Sequence, residues 1–185
     1  MSAKFTASTY VALLRGINVG GKHKMPMKDL VEVCTGCKCA DVRTYIQSGN
    51  VVFTAQASAV KKLAAELEKQ LELRFGFAVP VVVRDREQMA HVVRSNPFLK
   101  AGKPEKTLHV SFLACEPSAE AIAGLDPNRS PGDEFRVVGS EIYFHFPNGA
   151  GNTKLTSAYL DSRLKTVGTA RNWATVLQLA AMMEG

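Results

Sequence analysis

The chain has 185 residues, 46% of them hydrophobic and 22% charged, with a net charge of +6. That length and balance suit one large or two small globular domains with a real core, and exclude a disordered or fibrous chain. No apolar run approaches the ~20 residues of a membrane-spanning helix, and the short run ending at Arg15 is no signal-peptide core, so a cytoplasmic protein with no membrane partner is expected.

Residues 9–15 are apolar on both alternating faces, which marks a central buried strand. A glycine-rich basic loop follows. Pro26 suits the first position of a helix in which Met27, Leu30, Val31 and Cys34 share one face, with Gly36 as terminator. Residues 42–47 alternate, with Val42, Thr44 and Ile46 on one side and Arg43, Tyr45 and Gln47 on the other. Ser48-Gly49 supplies turn chemistry, and residues 50–54 return as a strand. Ser58 is placed to cap a long helix reaching about Phe75, with Leu63, Leu67 and Leu71 on its apolar stripe and Gly76 at its end. Residues 78–84 form a fourth strand, and Pro80 puts it at a sheet edge. The order β-α-β-β-α-β is the ferredoxin-like arrangement. A first strand apolar on both faces predicts that the helix-free face of this sheet is covered too.

Asp85 is placed to cap a helix to about Arg94, with Gln88 at the reciprocal capping position, and Asn96-Pro97 stops it. The segment AGKP at 101–104 is the best linker candidate. A strand at 107–114, a short helix near 118–123 and a polar loop at 126–133 come next. A hairpin then turns at Gly139-Ser140. A helix at 155–164, a short strand near 166–170 and a last helix capped by Asn172 complete the chain. The expectation is an α+β fold of two ferredoxin-like subdomains with antiparallel sheets packed together, residues 1–95 and 96–185, and a C-terminal helix. The second half varies the first in element order, without a residue-level repeat.

The charge is unevenly spread. Residues 1–100 hold 15 Lys/Arg against 8 Asp/Glu, and residues 101–185 hold 8 against 9. A basic first half suits an anionic partner, a phosphate-bearing small molecule or a nucleic acid. The loop GINVGGKH matches G-x-x-x-x-G-K, but His23 stands where a P-loop has the magnesium-binding hydroxyl, and Pro26 delays the helix. What survives is a basic glycine loop: Arg15, Lys22, Lys24 and Lys28 with no acid before Asp29. Its backbone N–H groups, around Asn18, Gly20 and Gly21, are candidates for an anion cradle at the start of the helix.

Arg43, Tyr45 and Gln47, with Asn50 beyond the turn, form a second candidate group in which an aromatic stands between hydrogen-bonding residues. The RNA-recognition motif shares this element order, but the central strands here, VALL and VVFT, lack its aromatic pair. In the second half, Lys154, Arg171, Asn172 and Trp173 cluster near two helix starts, with a plain helix cap and core packing as the competing readings. Cys34, Cys37 and Cys39 sit in CTGCKC without a second ligand pair, so no metal is expected, and no other cofactor is called for. No Ser/His/Asp constellation or spaced carboxylate pair is present, so no catalytic residue is assigned.

These residues also carry a resemblance. LLRGINVGGKHKMPM, VRTYIQSGNVVF, NPF at Asn96 to Phe98 and TARNWATV at Thr169 to Val176, in this order, resemble the bacterial family catalogued as domain of unknown function 1697. The family's usual GGKNK reads GGKHK at His23, and its TTRNW reads TARNW at Ala170. The resemblance implies two ferredoxin-like α+β subdomains and no established activity. The function expected from the residues is a binding module for a phosphate-bearing or nucleic-acid ligand, using the basic loop. The alternatives are an enzyme on a small anionic metabolite between the subdomains, and a scaffold without a small ligand.

Overall fold

The structure is a computed structural model and describes residues 7–184. It contains two four-stranded antiparallel sheets. The first is built from β1 (Ala7–Leu14), β2 (Ala40–Tyr45), β3 (Asn50–Gln56) and β4 (Val81–Asp85), in the order β2-β3-β1-β4. β1 is central, with Tyr10 opposite both Phe53 and Asp85. The helices α1 (Met27–Gly36) and α2 (Ala57–Phe75) cover one face. Their Leu30, Cys34, Leu63, Leu67 and Leu71 pack on Tyr10, Ala12, Leu14, Val51 and Phe53. Alternation puts Val11, Leu13, Val52 and Val82 on the other face, and these are buried as well.

The second sheet repeats the plan. β5 (Leu108–Leu113), β6 (Glu134–Val138), β7 (Glu141–His145) and β8 (Gly168–Asn172) take the order β6-β7-β5-β8, with α5 (Ala119–Ala123) and α6 (Ser157–Leu164) in the same places of the sequence order. Leu113, Ile142, Phe144 and Phe146 meet Leu160 and Leu164 of α6 in its core. In the chain, α3 (Arg86–Ser95) and the short α4 (Pro97–Lys100) follow β4 and precede β5, and α7 (Trp173–Met183) comes after β8. Two compact units result, one of residues 7–89 with 179–184, the other of residues 90–178, so α3 and α7 each belong partly to both. Among the described residues, no helix is long and apolar enough to cross a membrane.

Local signals explain most element ends. The Asp85 and Gln88 side chains each accept from the other's backbone N–H at 2.8 Å, a complete capping box. Asn172 Oδ1 accepts from Thr175 N–H, and Gly76 ends α2 at φ +77. Asn96 does more than stop α3: its Oδ1 caps α4 through Phe98 and Leu99 N–H. Ser58 is not a cap. β3 runs to Gln56 and α2 starts at Ala57, so no loop residue precedes the helix and Ser58 lies within its first turn. Pro26 occupies the N-cap position at ψ 136 rather than the first helical one.

One surface cluster in the second unit is pH-sensitive. Glu134 Oε1 receives Lys103 Nζ at 2.7 Å and His145 Nδ1 at 2.9 Å, and these partners, Lys103 foremost, hold its carboxyl below the usual value of 4.5. A carboxylate stabilised in the fold contributes above its unfolded pKa, and that contribution is lost as the pH falls through the folded value. Glu134→Gln is therefore expected to melt slightly lower than wild type at pH 7, with the gap closing below pH 4.5. Paired thermal melts across pH 3–7 measure this, and a gap that is constant with pH would contradict it. The pair is more than a third exposed, so the effect is small.

Candidate functional site

The basic loop between β1 and α1 is a folded element. Ile17 and Met25, each 1% exposed, anchor its two limbs in the core. Between them the chain makes a miniature hairpin: Lys22 N–H donates to Val19 O at 3.1 Å and Asn18 N–H to His23 O at 3.1 Å. Gly20 and Gly21 occupy its corners at φ +60 and +76, a pair of left-handed positions that suits glycine. His23 stacks on Phe77, with centroids 4.4 Å apart and planes at 16°. Its Nδ1 lies 3.1 Å from Gly16 O, so Nδ1 carries the proton.

Asn18 fastens the loop to its neighbour. Its Nδ2 donates to Met25 O and to Gln47 O, both at 2.9 Å, and its Oδ1 accepts from Met25 N–H at 2.8 Å. It does so at φ +53, a conformation asparagine tolerates. The partner turn is itself locked. Asn50 Nδ2 donates to Tyr45 O and Ser48 Oγ, and Leu14 N–H donates to Gly49 O at 2.8 Å. The GINVGGK and YIQSGN boxes are thus two halves of one hydrogen-bonded corner.

Lys22, Lys24 and Lys28 are exposed on this corner, and none meets a carboxylate among the described residues. The acids that follow them, Asp29 and Glu32, are both taken by Arg74 at 2.8 Å. The site is therefore locally positive. The cradle expected from sequence is thinner than anticipated: the N–H groups of Asn18, Lys22 and Met25 are engaged inside the loop, and Pro26 has none. Arg15 is half-buried, its N–H donating to Pro80 O.

The other candidates fall elsewhere. Arg43 and Tyr45 share a face of β2, and Arg43 Nη2 donates to Met182 O at 2.8 Å. Gln47 does not join them. β2 ends at Tyr45, Ile46 turns to φ +50 and Gln47 lies in the turn, exposed, where its carbonyl serves Asn18. Asn50 is fully buried. Arg171 is buried with Nη1 donating to Thr169 Oγ1 and Ala170 O, and burial pushes its guanidinium down to about 10. Trp173 is 1% exposed, and its indole N–H meets no acceptor among the described residues. Lys154 is exposed.

Burial pushes the Cys34 and Cys39 thiols up to about 12 and raises Cys37, so the cluster presents no ready thiolate. No metal-holding group of His, Cys, Asp or Glu occurs among the described residues. A groove of about 480 Å³ beside Cys37 is lined by Glu32, Glu66 and Arg74, an acid-bearing surface that does not suit phosphate.

A family model described as "Protein of unknown function (DUF1697)" matches residues 7–143. No curated protein matches. Among solved structures, the conserved bacterial protein SP0830 from Streptococcus pneumoniae is similar at a TM-score of 0.70 and 21% identity, over 97% of this chain and 100% of that one.

Proposed function

Because the chain belongs to the DUF1697 family, whose description assigns no activity, we propose a function from the site itself: a binding module for a phosphate-bearing ligand, with a nucleic-acid backbone as the form the geometry favours. One observation carries the reading. Among the described residues, Lys22, Lys24 and Lys28 stand without acidic partners on an internally hydrogen-bonded corner, while Asp29 and Glu32 are held by Arg74. The hairpin tip is exposed and the N–H groups of Asn18, Lys22 and Met25 are engaged within the loop, so most of the contact falls to the ammonium groups. Ammonium contacts of that kind suit successive phosphates along a strand and carry no sequence information.

The double variant Lys22→Ala, Lys24→Ala is expected to bind single-stranded oligonucleotide more weakly, and its salt dependence should flatten by about one counterion per lysine. Its melting temperature should hold, because exposed lysines contribute within about 0.5 kcal/mol. Binding isotherms on an oligonucleotide, a nucleoside triphosphate and inorganic phosphate across a salt series decide the matter. Equal binding by wild type and variant on all three would remove the reading. It would leave the corner as a structural turn.

A further inference from the structure

We propose that Arg129 and Arg163, both held at the Tyr159 ring, form an anion site in the second unit that takes a phosphate group. The Arg129 Cζ lies 4.0 Å from the ring centroid and the Arg163 Cζ 5.8 Å from it. Arg163 reaches the ring from one helical turn along α6, and Arg129 comes from the loop at 126–133. Two like charges on one ring repel, and no carboxylate among the described residues pairs with Arg129, Arg163 or Lys154. The acids of the same loop are engaged by other groups. Asp126 Oδ1 accepts from Asn128 N–H, and Asp133 Oδ2 from the Ser130 hydroxyl at 2.6 Å.

The arrangement is also held in place. Asp126 N–H donates to Tyr159 Oη at 2.9 Å, which ties the ring to the loop. Arg129 Nε donates to Lys154 O at 3.1 Å, which fixes the guanidinium while its two terminal nitrogens have no acceptor among the described residues. Buried Ser130 accepts from Lys154 N–H at 3.0 Å and binds the loop to the segment before α6. A fixed guanidinium fork with unfilled donors, on the same ring as a second guanidinium, matches the oxygens of a phosphate. Both guanidiniums lie within cation–π range of the tyrosine, so the ring serves to position them.

The inference does not rest on the basic corner of the first unit. Its test therefore uses the Lys22→Ala, Lys24→Ala background, where that corner is disabled. Arginine Nε–H resonances are followed by NMR at low salt, with inorganic phosphate in one arm and a short single-stranded oligonucleotide in the other. The Arg129 and Arg163 signals are expected to shift saturably. Arg129→Ala with Arg163→Ala should weaken binding at least about tenfold. Arg129→Lys with Arg163→Lys keeps the charge and loses the fork, and should also bind more weakly; it stands in should the alanine pair fail to fold. An oligonucleotide that outbinds phosphate identifies a nucleic-acid backbone as the ligand, and equal affinity identifies a free phosphate ester. Absence of a saturable shift, unchanged affinity in the alanine pair, or lysines binding as tightly as arginines would overturn the proposal.

Discussion

Gly49→Ala is expected to destabilise the protein by about 2–4 kcal/mol, the cost of left-handed strain plus overpacking. Gly49 sits at φ +75, and an added Cβ would meet Leu14 Cβ at 2.6 Å and Ile17 Cδ1 at 3.0 Å. Leu14 Cβ is rigidly tied to the backbone of the central strand, whose N–H already donates to Gly49 O. Neither side can yield without breaking that bond. Gly20 is the control. Its φ of +60 is equally left-handed, but an added Cβ meets nothing within 4 Å, so Gly20→Ala should cost only about 1 kcal/mol. Urea melts of the two variants measure the difference, and equal losses would show that contact at Gly49 matters little.

Asn18→Ala is expected to cost about 2–3 kcal/mol, because it removes three hydrogen bonds and leaves the N–H and C=O of Met25 and the C=O of Gln47 to find new partners. Asn18→Gly keeps the freedom needed at φ +53 and loses the same bonds, so it isolates the side chain. Asn18→Asp should be no better, since a carboxylate can still accept from Met25 N–H but faces two carbonyl oxygens with no hydrogen to give. The local consequence is measurable by hydrogen exchange: Met25 N–H should lose protection in the alanine and glycine variants, which lack its acceptor. Phosphate-ligand binding should fall with it, although no lysine has been touched, because the corner that presents them loosens. An alanine variant that melts within about 0.5 kcal/mol of wild type would contradict this account.

The elements whose causes are local were legible in the residues. The capping box at Asp85 and Gln88, the αL cap at Gly76, the cap at Asn172 and the edge position of β4 all follow from patterns a few residues long. The failure at Gln47 has the opposite character. Alternation continues past the end of β2, and nothing local announces that Ile46, a β-branched residue, will take φ +50. The turn is set from outside, by Asn18 on the Gln47 carbonyl and by Leu14 against Gly49. The lysines of the corner could be counted in the sequence, while the stapling by Asn18 joins residues 29 positions apart. Arg129 over Tyr159 is a similar long-range meeting, and only the Tyr159 and Arg163 pair, one helical turn apart, had a spacing that could have drawn notice.

The central place of β1 has a bearing on how the chain is made. This strand emerges from the ribosome before either neighbour, and Tyr10 waits first for Phe53 and then for Asp85. Until then its unpaired edges and its apolar residues are open to the wrong partners, since long-range pairing closes slowly. The delay extends further, because residues 179–184 cluster with the first unit and Met182 O receives Arg43. The unit begun first is therefore completed only when residue 184 has been added, after every strand of the second unit has been synthesised. A domain assembled in this order gains little from folding as it is translated, and a chaperone that shields β1 during synthesis would be expected to raise its yield.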